Sequence, residues 1–247
     1  MHELESWARV EVTSGGETRP VYRKGDGTGV IVIHEFPGIA ASLVAFADEV
    51  VARGHTVVLP HLFGTPGAGM TFANVAGSVW QFCVRREFSV FARGRTSPIA
   101  GWLRALARQL HDEVGGTGVG VVGMCFTGGF ALAMMADAPV IAPVLAEPSL
   151  PAAAGLPRGA RLRGADLGLG PEDLEAVRSS SCEVLGLRYR TDPAVGTRFA
   201  TLERELGDRF IAVEFEGKGH SVLTRDRQQE GVERVLDFLD ERLAAAG

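Results

Sequence analysis

The chain has 247 residues, of which 46% are apolar and 22% are charged, and its formal net charge is −5. The mixed charge argues against nucleic-acid binding, and the lack of an apolar run of about 18 residues argues against a membrane span. The first ten residues include Glu3, Glu5 and Arg9 and no continuous apolar stretch, so we expect no secretory signal and a cytoplasmic location.

Short apolar runs rich in β-branched residues alternate along the chain with longer helical patterns. This alternation predicts an α/β fold, organised as one domain over residues 1–247, with a mostly parallel central sheet and helices on both faces. Strands are predicted at residues 8–13, 19–24, 29–34, 56–59, 118–122, 140–145, 182–187 and 210–216, the first two forming an edge hairpin. Helices are predicted at residues 43–53, 98–114, 130–135, 171–179, 194–206 and 228–246.

Residues 61–97 interrupt this alternation. Glycine and proline mark loops there, and large aromatic residues occur without a clean period, so we predict an irregular excursion that covers the sheet like a lid. Arginines are frequent from Arg85 to Arg108. They form either a solvated surface or, for one or two of them, the mouth of an anion-binding site.

The three cysteines, Cys83, Cys125 and Cys182, match no zinc-site spacing. Their odd number and the lack of an export signal predict free thiols, which either fill the core or carry chemistry.

Gly123-x-Cys125 stands at the junction of a predicted strand and a predicted helix. A nucleophile at such a sharp turn has a strained backbone and needs a small residue two positions earlier. The same turn directs the amide of Phe126 towards a developing oxyanion and puts the thiol at a helix N-terminus, which favours thiolate. Alternatively, Cys125 is a core residue at a tight turn.

A cysteine nucleophile needs a base and a group that orients the base. His220 follows the last predicted strand in a turn that contains glycine, and Asp192 lies in the loop after the preceding strand. Nucleophile, acid and histidine then follow one another in the order found in α/β-hydrolases. The alternatives are a loop histidine with an ordinary hydrogen bond and an aspartate that initiates the turn at Asp192-Pro193.

Several short motifs carry a family resemblance in their order and spacing. They are Glu35 at the end of the third strand, Gly123-x-Cys125-x-x-Gly128-Gly129, Asp192 and Gly219-His220-Ser221. With these motifs the chain resembles the dienelactone hydrolase family of α/β-hydrolases, from the strand at Val30 to the final helix.

The resemblance implies a Cys125–His220–Asp192 triad and a role for Glu35. In such enzymes the glutamate contacts the resting thiol and accepts its proton when substrate enters. Alternatively, Glu35 is a carboxylate that caps backbone amides at the strand end. Pro37 has no N–H, so we expect the amide of Phe36 to be the second oxyanion donor, beside that of Phe126.

Two positions depart from the family pattern. Thr127 occupies a position that is usually glycine, so that either the helix packs further away or the hydroxyl enters the site. The arginine that holds a substrate carboxylate four residues after the histidine is replaced by Thr224, and Arg225 follows it. Arg85 and Arg86 in the excursion are the candidates for the other carboxylate-binding arginine.

We therefore expect a carboxylic ester hydrolase that cleaves a small ester or lactone, with or without a carboxylate, through a thioester intermediate. The expected chemistry requires neither a metal nor an organic cofactor, and the sequence indicates no oligomeric state. Three alternatives stay open: a redox sensor that uses Cys125 as a reactive thiol, a binding module without chemistry, and a hydrolase of thioesters or activated aryl esters.

Overall fold

The computed structural model describes residues 4–68, 71, 74, 96–137, 139–150, 159, 162 and 164–244. Its strands are β1 (Ala8–Ser14), β2 (Glu17–Lys24), β3 (Gly29–Ile33), β4 (Thr56–Pro60), β5 (Val119–Met124), β6 (Val140–Ala146), β7 (Val184–Tyr189) and β8 (Phe210–Phe215). They form one sheet in the order β1-β2-β4-β3-β5-β6-β7-β8. Helices flank it: α1 (Ala41–Ala52), α2 (Ile99–Val114), α3 (Gly128–Met135), α4 (Pro171–Ser179), α5 (Arg198–Leu206) and α6 (Gln229–Leu243).

The sheet is parallel from β4 to β8 and antiparallel at its β1–β2 end. β2 pairs antiparallel with both β1 and β4, whereas β3, β4, β5, β6, β7 and β8 pair in parallel. The prediction of a mostly parallel sheet is therefore confirmed. The predicted hairpin exists, but of its two strands β1 alone lies at the edge of the sheet, because β2 has a neighbour on each side.

Side chains that alternate along the central strands separate two layers of core. Val121 of β5 packs in a cluster with α2 and α3, whereas its neighbour Val122 packs in a cluster with α1 and α6. Successive residues of a strand point to opposite faces of the sheet, so these two clusters lie on opposite faces. Burial on two faces explains why the sequence of β5 is apolar throughout.

Several predicted boundaries are wrong by two or more residues: β2 begins at Glu17 instead of 19, α1 at Ala41 instead of 43, and α3 at Gly128 instead of 130. β7 begins at Val184 instead of 182, and α5 begins at Arg198 instead of 194. The later start of α5 reflects a turn in which the Oδ1 atom of Asp192 accepts a hydrogen bond from the amide of Ala194 at 2.9 Å. An aspartate that bonds a backbone amide two residues ahead holds the chain in a turn and delays the helix.

The parallel strands bring their carboxyl ends to one edge of the sheet. Ile33, Gly123, Leu145 and Gly186 stand side by side on adjacent strands, so the residues after them leave the sheet together. Open α/β sheets bind ligands at this edge.

Among the residues that the structure describes, no helix has the length and apolar character needed to cross a membrane. Most of the predicted excursion at 61–97, including Arg85 and Arg86, lies outside the described residues.

Candidate active site

Cys125 occupies a sharp turn between β5 and α3. It is the first residue of a one-turn 3₁₀ helix, Cys125–Thr127, and its φ of 55° is unusual for a residue other than glycine. A Cβ atom on Gly123 would lie 2.4 Å from the carbonyl oxygen of Thr127. Glycine is therefore required two residues before the cysteine, and the turn exposes a half-buried thiol at the N-terminus of α3.

Thr127 stabilises this turn and does not line the site. Its hydroxyl accepts a hydrogen bond from the amide of Met124 at 2.9 Å. It is also 2.8 Å from the carbonyl oxygen of Met124 and 3.2 Å from that of Ile33, to which it can donate. Because the residue is completely buried, the alternative in which its hydroxyl enters the site is wrong.

His220 and Asp192 form a close pair. The Nδ1 atom of His220 lies 2.6 Å from Oδ2 of Asp192, whose side chain is 3% exposed against 24% for the imidazole. The two proposed roles of Asp192 occur together, since Oδ1 caps the turn at Ala194 while Oδ2 faces the histidine.

The surroundings of His220 favour imidazolium. Burial on its own lowers the pKa of His220, but hydrogen bonds with Asp192 and Cys125, together with negative charge on Cys125 and Glu147, raise that pKa to about 11. Because Nδ1 faces Asp192, the other ring nitrogen remains for the thiol. The imidazole is therefore coupled to a carboxylate and to a sulfur atom.

An aspartate anchors the turn that carries His220. The Oδ2 atom of Asp226 accepts hydrogen bonds from the amides of His220 at 2.8 Å and Ser221 at 3.3 Å. A Cβ atom on Gly219 would lie 2.5 Å from the ring of Tyr189, so glycine is required immediately before the histidine. Sequence reasoning missed Asp226, although its position six residues after His220 suits a loop cap.

The Glu35 carboxylate accepts hydrogen bonds from two hydroxyls, those of Ser221 at 2.7 Å and of Thr224. Its hydrogen-bond partners among the described residues are thus hydroxyls, so neither the amide-capping interpretation nor the expected contact with the resting thiol is found. Thr224 stands where the family pattern has an arginine, and it binds a residue of the site instead of solvent.

The fixed orientation of His34 supports the strand end before Glu35. His34 is fully buried, its Nε2 accepts from the amide of Leu62 at 3.0 Å, and its Nδ1 lies 3.0 Å from the carbonyl oxygen of Glu35. Burial lowers the pKa of His34 to about 3. The ring is therefore neutral, with the proton on Nδ1, and is a neighbour of the site as expected.

Sequence reasoning also missed two residues after β6. The Oγ atom of Ser149 lies 3.2 Å from Sγ of Cys125. Glu147 is fully buried and has a φ of 37°, and one of its carboxylate oxygens accepts from the amide of Val222 at 3.2 Å. Their position at the carboxyl end of a strand beside β5 was the available signal.

The predicted oxyanion donors lie beside the glutamate and the cysteine. Phe126 is buried, and Phe36 is partly buried against the same core cluster as Cys125.

Of the arginines predicted to bind a substrate carboxylate, Arg225 lies among the described residues. Arg225 has a side chain that is 57% exposed and lies 3.6 Å from Asp226. Arg85 and Arg86 lie outside the described residues. Arg104, from the arginine-rich stretch between Arg85 and Arg108, forms a salt bridge with Asp173 at 2.7 Å and donates to the carbonyl of Ala133. Its guanidinium therefore stabilises the fold.

Among the described residues, histidine, cysteine, aspartate and glutamate side chains form no group of three or more with the geometry of a metal site.

The strand order, with its antiparallel β2 and the sharp turn after β5, defines an α/β-hydrolase fold. The chain belongs to the dienelactone hydrolase family, whose pattern matches residues 18–240. This membership makes it a carboxylic ester hydrolase. A comparison with curated proteins found no significant match.

Solved structures show the same fold at low sequence identity. A protein of Klebsiella pneumoniae subsp. pneumoniae assigned as a dienelactone hydrolase is 15% identical, with a TM-score of 0.69 over 96% of this chain and 98% of that one. The α/β-hydrolase GrgF from Penicillium sp. sh18 is 17% identical, with a TM-score of 0.69 over 96% and 99%. A cold-adapted esterase from an Arctic intertidal metagenomic library is 17% identical, with a TM-score of 0.63 over 95% and 92%.

Proposed function

We propose that the chain, folded as one domain, hydrolyses a small ester or lactone through a thioester on Cys125. His220 acts as acid and base, and Asp192 orients it. The observation that carries the proposal is the 2.6 Å contact between His220 and Asp192 beside a cysteine at a positive-φ turn.

The raised pKa of His220 favours imidazolium beside Cys125, so that loss of the thiol proton leaves a thiolate–imidazolium pair. In the first half-reaction the Sγ thiolate attacks the ester carbonyl carbon, and a C–S bond forms. The amides of Phe126 and Phe36 stabilise the oxyanion, since removing one such donor typically lowers the rate by about 10²–10³. The C–O bond then breaks, and His220 gives its proton to the departing alkoxide.

In the second half-reaction neutral His220 takes a proton from water, and the hydroxide attacks the thioester carbonyl. The C–S bond breaks, the acid leaves, and the thiolate–imidazolium pair is restored. Asp192 stabilises the imidazolium at both stages without taking its proton.

We assign Glu35, by resemblance, to the uptake of the thiol proton when substrate enters. This role requires the carboxylate to leave the hydroxyls of Ser221 and Thr224, which hold it in the resting structure. Replacement Glu35→Gln should therefore slow acylation while leaving hydrolysis of a preformed thioester close to that of the wild type.

The substrate proposal extends to carboxylate-bearing esters. Arg225 is exposed near the turn of His220, and Arg85 and Arg86 are the candidates from the excursion. If Arg225 holds a substrate carboxylate, Arg225→Ala should raise KM for p-nitrophenyl hemisuccinate and leave KM for p-nitrophenyl acetate unchanged.

The deciding experiment is hydrolysis of p-nitrophenyl acetate by the wild type and by Cys125→Ala and Cys125→Ser, with intact-mass detection of an acyl adduct. Cys182→Ser is the matched control. The sulfur of Cys182 contacts the carbonyl of Val140 at 3.7 Å, at the amino ends of β6 and β7, whereas Cys125 follows the carboxyl end of β5. We expect turnover and a transient acetyl adduct in the wild type and the control, and loss of both in the Cys125 variants.

Turnover that persists in Cys125→Ala would refute the assignment of Cys125 as the nucleophile. No turnover in the wild type, combined with reversible oxidation of Cys125, would instead favour the redox-sensing thiol.

A further inference from the structure

The segment Glu147-Pro148-Ser149 leaves the sheet directly after β6 and contacts both Cys125 and the turn that carries His220. The amide of Glu147 donates to the carbonyl of Leu187 at 2.7 Å, which ties the segment to β7. The amide of Ser149 donates to the carbonyl of Cys125 at 3.1 Å, which ties it to the elbow. The segment thus has backbone anchors on both sides.

Pro148 adds a steric constraint between these anchors. A Cβ atom on Gly128, the first residue of α3, would lie 2.9 Å from the Cβ atom of Pro148. Because Gly128 has no side chain, Pro148 packs directly against the backbone at the start of α3. The position of the segment relative to Cys125 is therefore fixed by packing as well as by hydrogen bonds.

The side chain of Ser149 reaches the reacting atom. Its hydroxyl lies 3.2 Å from Sγ of Cys125, and the residue is buried. A thiolate has no proton to give, so in the thiolate–imidazolium state Ser149 must be the donor of this hydrogen bond. Hydrogen bonds to charged groups are roughly twice as strong as neutral ones, so the contact favours thiolate.

Glu147 contacts the turn that carries His220. Its Oε2 accepts from the amide of Val222, two residues after His220, while its Oε1 is buried without a partner among the described residues. The titratable groups around it are Glu35, His220 and Cys125. Burial, reinforced by the charge of Glu35 and opposed by His220, raises the pKa of Glu147 well above its usual value.

The backbone of Glu147 is strained in this arrangement. A φ of 37° in a residue other than glycine is a strained conformation, which persists only where the surrounding contacts enforce it. Here those contacts are the amide bond to Leu187 and the side-chain bond to Val222.

We propose that Glu147-Pro148-Ser149 sets the geometry of the thiol and the imidazole, Ser149 as a donor to Sγ and Glu147 as a positioning residue that holds the His220 turn through the amide of Val222. The proposal rests on Cys125 being the nucleophile. Ser149 is a catalytic residue in this scheme because it touches the reacting atom, whereas Glu147 acts through Val222.

The first test follows the rate of alkylation of Cys125 by iodoacetamide against pH, which needs no ester turnover. In Ser149→Ala the midpoint of this profile should move to higher pH by roughly one to two units, and Ser149→Thr should restore it. Ser180→Ala is the control, because that hydroxyl contacts the amide of Cys182 away from the site. An unchanged midpoint in Ser149→Ala would overturn the proposal.

The second test compares Glu147→Gln with Glu147→Ala in p-nitrophenyl acetate hydrolysis. Glutamine keeps the volume and an acceptor for the amide of Val222, so a positioning role through this hydrogen bond predicts kcat near that of the wild type. Alanine removes the acceptor, and kcat should fall about three- to tenfold with little change in KM. A fall in Glu147→Gln equal to that in Glu147→Ala would show that the acceptor does not carry the effect and would refute the positioning role.

These readouts separate the two proposals. If Cys125→Ala retained esterase activity, the proposed function would fail whatever the alkylation profile of Ser149→Ala.

Discussion

Replacing Gly123 by alanine tests whether the turn at Cys125 depends on close packing of β5 against the residues that follow it. The added Cβ atom would lie 2.4 Å from the carbonyl oxygen of Thr127, 2.9 Å from the carbonyl carbon of the same residue and 3.0 Å from the Cβ atom of Ala131. Two of these three atoms belong to backbone, which cannot turn aside as a flexible side chain would.

The size of the effect follows from these distances. Favourable contacts between nonbonded heavy atoms begin near 3.5 Å, so the turn and the start of α3 must move by about 1 Å. Overpacking of this kind typically destabilises a protein by about 1–3 kcal/mol, and for a chain of this size the Tm falls by roughly 2–12 °C. Displacement of a reacting group by about 1 Å can reduce the rate about 10²-fold.

The assay combines thermal unfolding with kcat for p-nitrophenyl acetate. The matched control is Gly101→Ala in the first turn of α2, where an added Cβ atom has no neighbour within 4 Å. The control should be more stable than the wild type by about 0.4–1 kcal/mol, because alanine restricts the unfolded chain, and its kcat should not change. A Gly123→Ala variant with the Tm and kcat of the wild type would refute the packing argument.

Three further predictions concern the surroundings of the site. Thr127→Val leaves the buried amide of Met124 without an acceptor and should lower the free energy of unfolding in urea by about 1–3 kcal/mol. Thr127→Ser keeps the hydroxyl and should lower it by less than half as much. Equal losses of stability in the two variants would contradict the role of the hydroxyl. Asp226→Ala removes the acceptor for the amide of His220, so kcat for p-nitrophenyl acetate should fall strongly while the Tm falls only slightly. Asp208→Ala, at an exposed turn, should change neither quantity. An Asp226→Ala variant with the kcat of the wild type would refute the role of Asp226 in holding the His220 turn. The pKa of His220 is raised from 6.5 to about 11, so its stabilising contribution is complete below pH 6.5 and is lost as the pH rises towards 11. The difference in free energy of unfolding between the wild type and His220→Asn should therefore narrow from pH 6 to pH 10, and a constant difference would contradict this linkage.

The sequence predicted those features that depend on local patterns. Short apolar runs rich in β-branched residues located the parallel strands, and Gly123-x-Cys125 located the sharp turn, because both signals lie within a few consecutive residues. The pairing of His220 with Asp192 was also predictable, since the two residues follow neighbouring strands at one edge of the sheet.

The segment after β6 was not predicted, because its meaning depends on strand register. Met124 pairs with Ala146, so Cys125 and Glu147 leave the sheet side by side although 22 positions separate them in the sequence. Neither Glu147 nor Ser149 belongs to a recognisable motif. Their importance follows from the sheet order, which no local pattern contains.

Asp192 shows a different limit of sequence reasoning. Turn initiation and orientation of a histidine were treated as alternatives, yet a carboxylate has two oxygens, and Asp192 uses one for each purpose. The role of Thr127 stayed open for a related reason, since a hydroxyl that satisfies backbone groups inside a turn cannot be distinguished by sequence from one that faces a substrate.

The distribution of the site over the strand ends has a consequence for the folding of the chain. Glu35 follows β3, Cys125 follows β5, Asp192 follows β7 and His220 follows β8, so the nucleophile meets its base only after the last parallel strand has docked. Long-range parallel pairings of this kind form slowly. During synthesis Cys125 is therefore incorporated well before His220, the base that activates it. Esterase activity should appear only with the final cooperative step of folding.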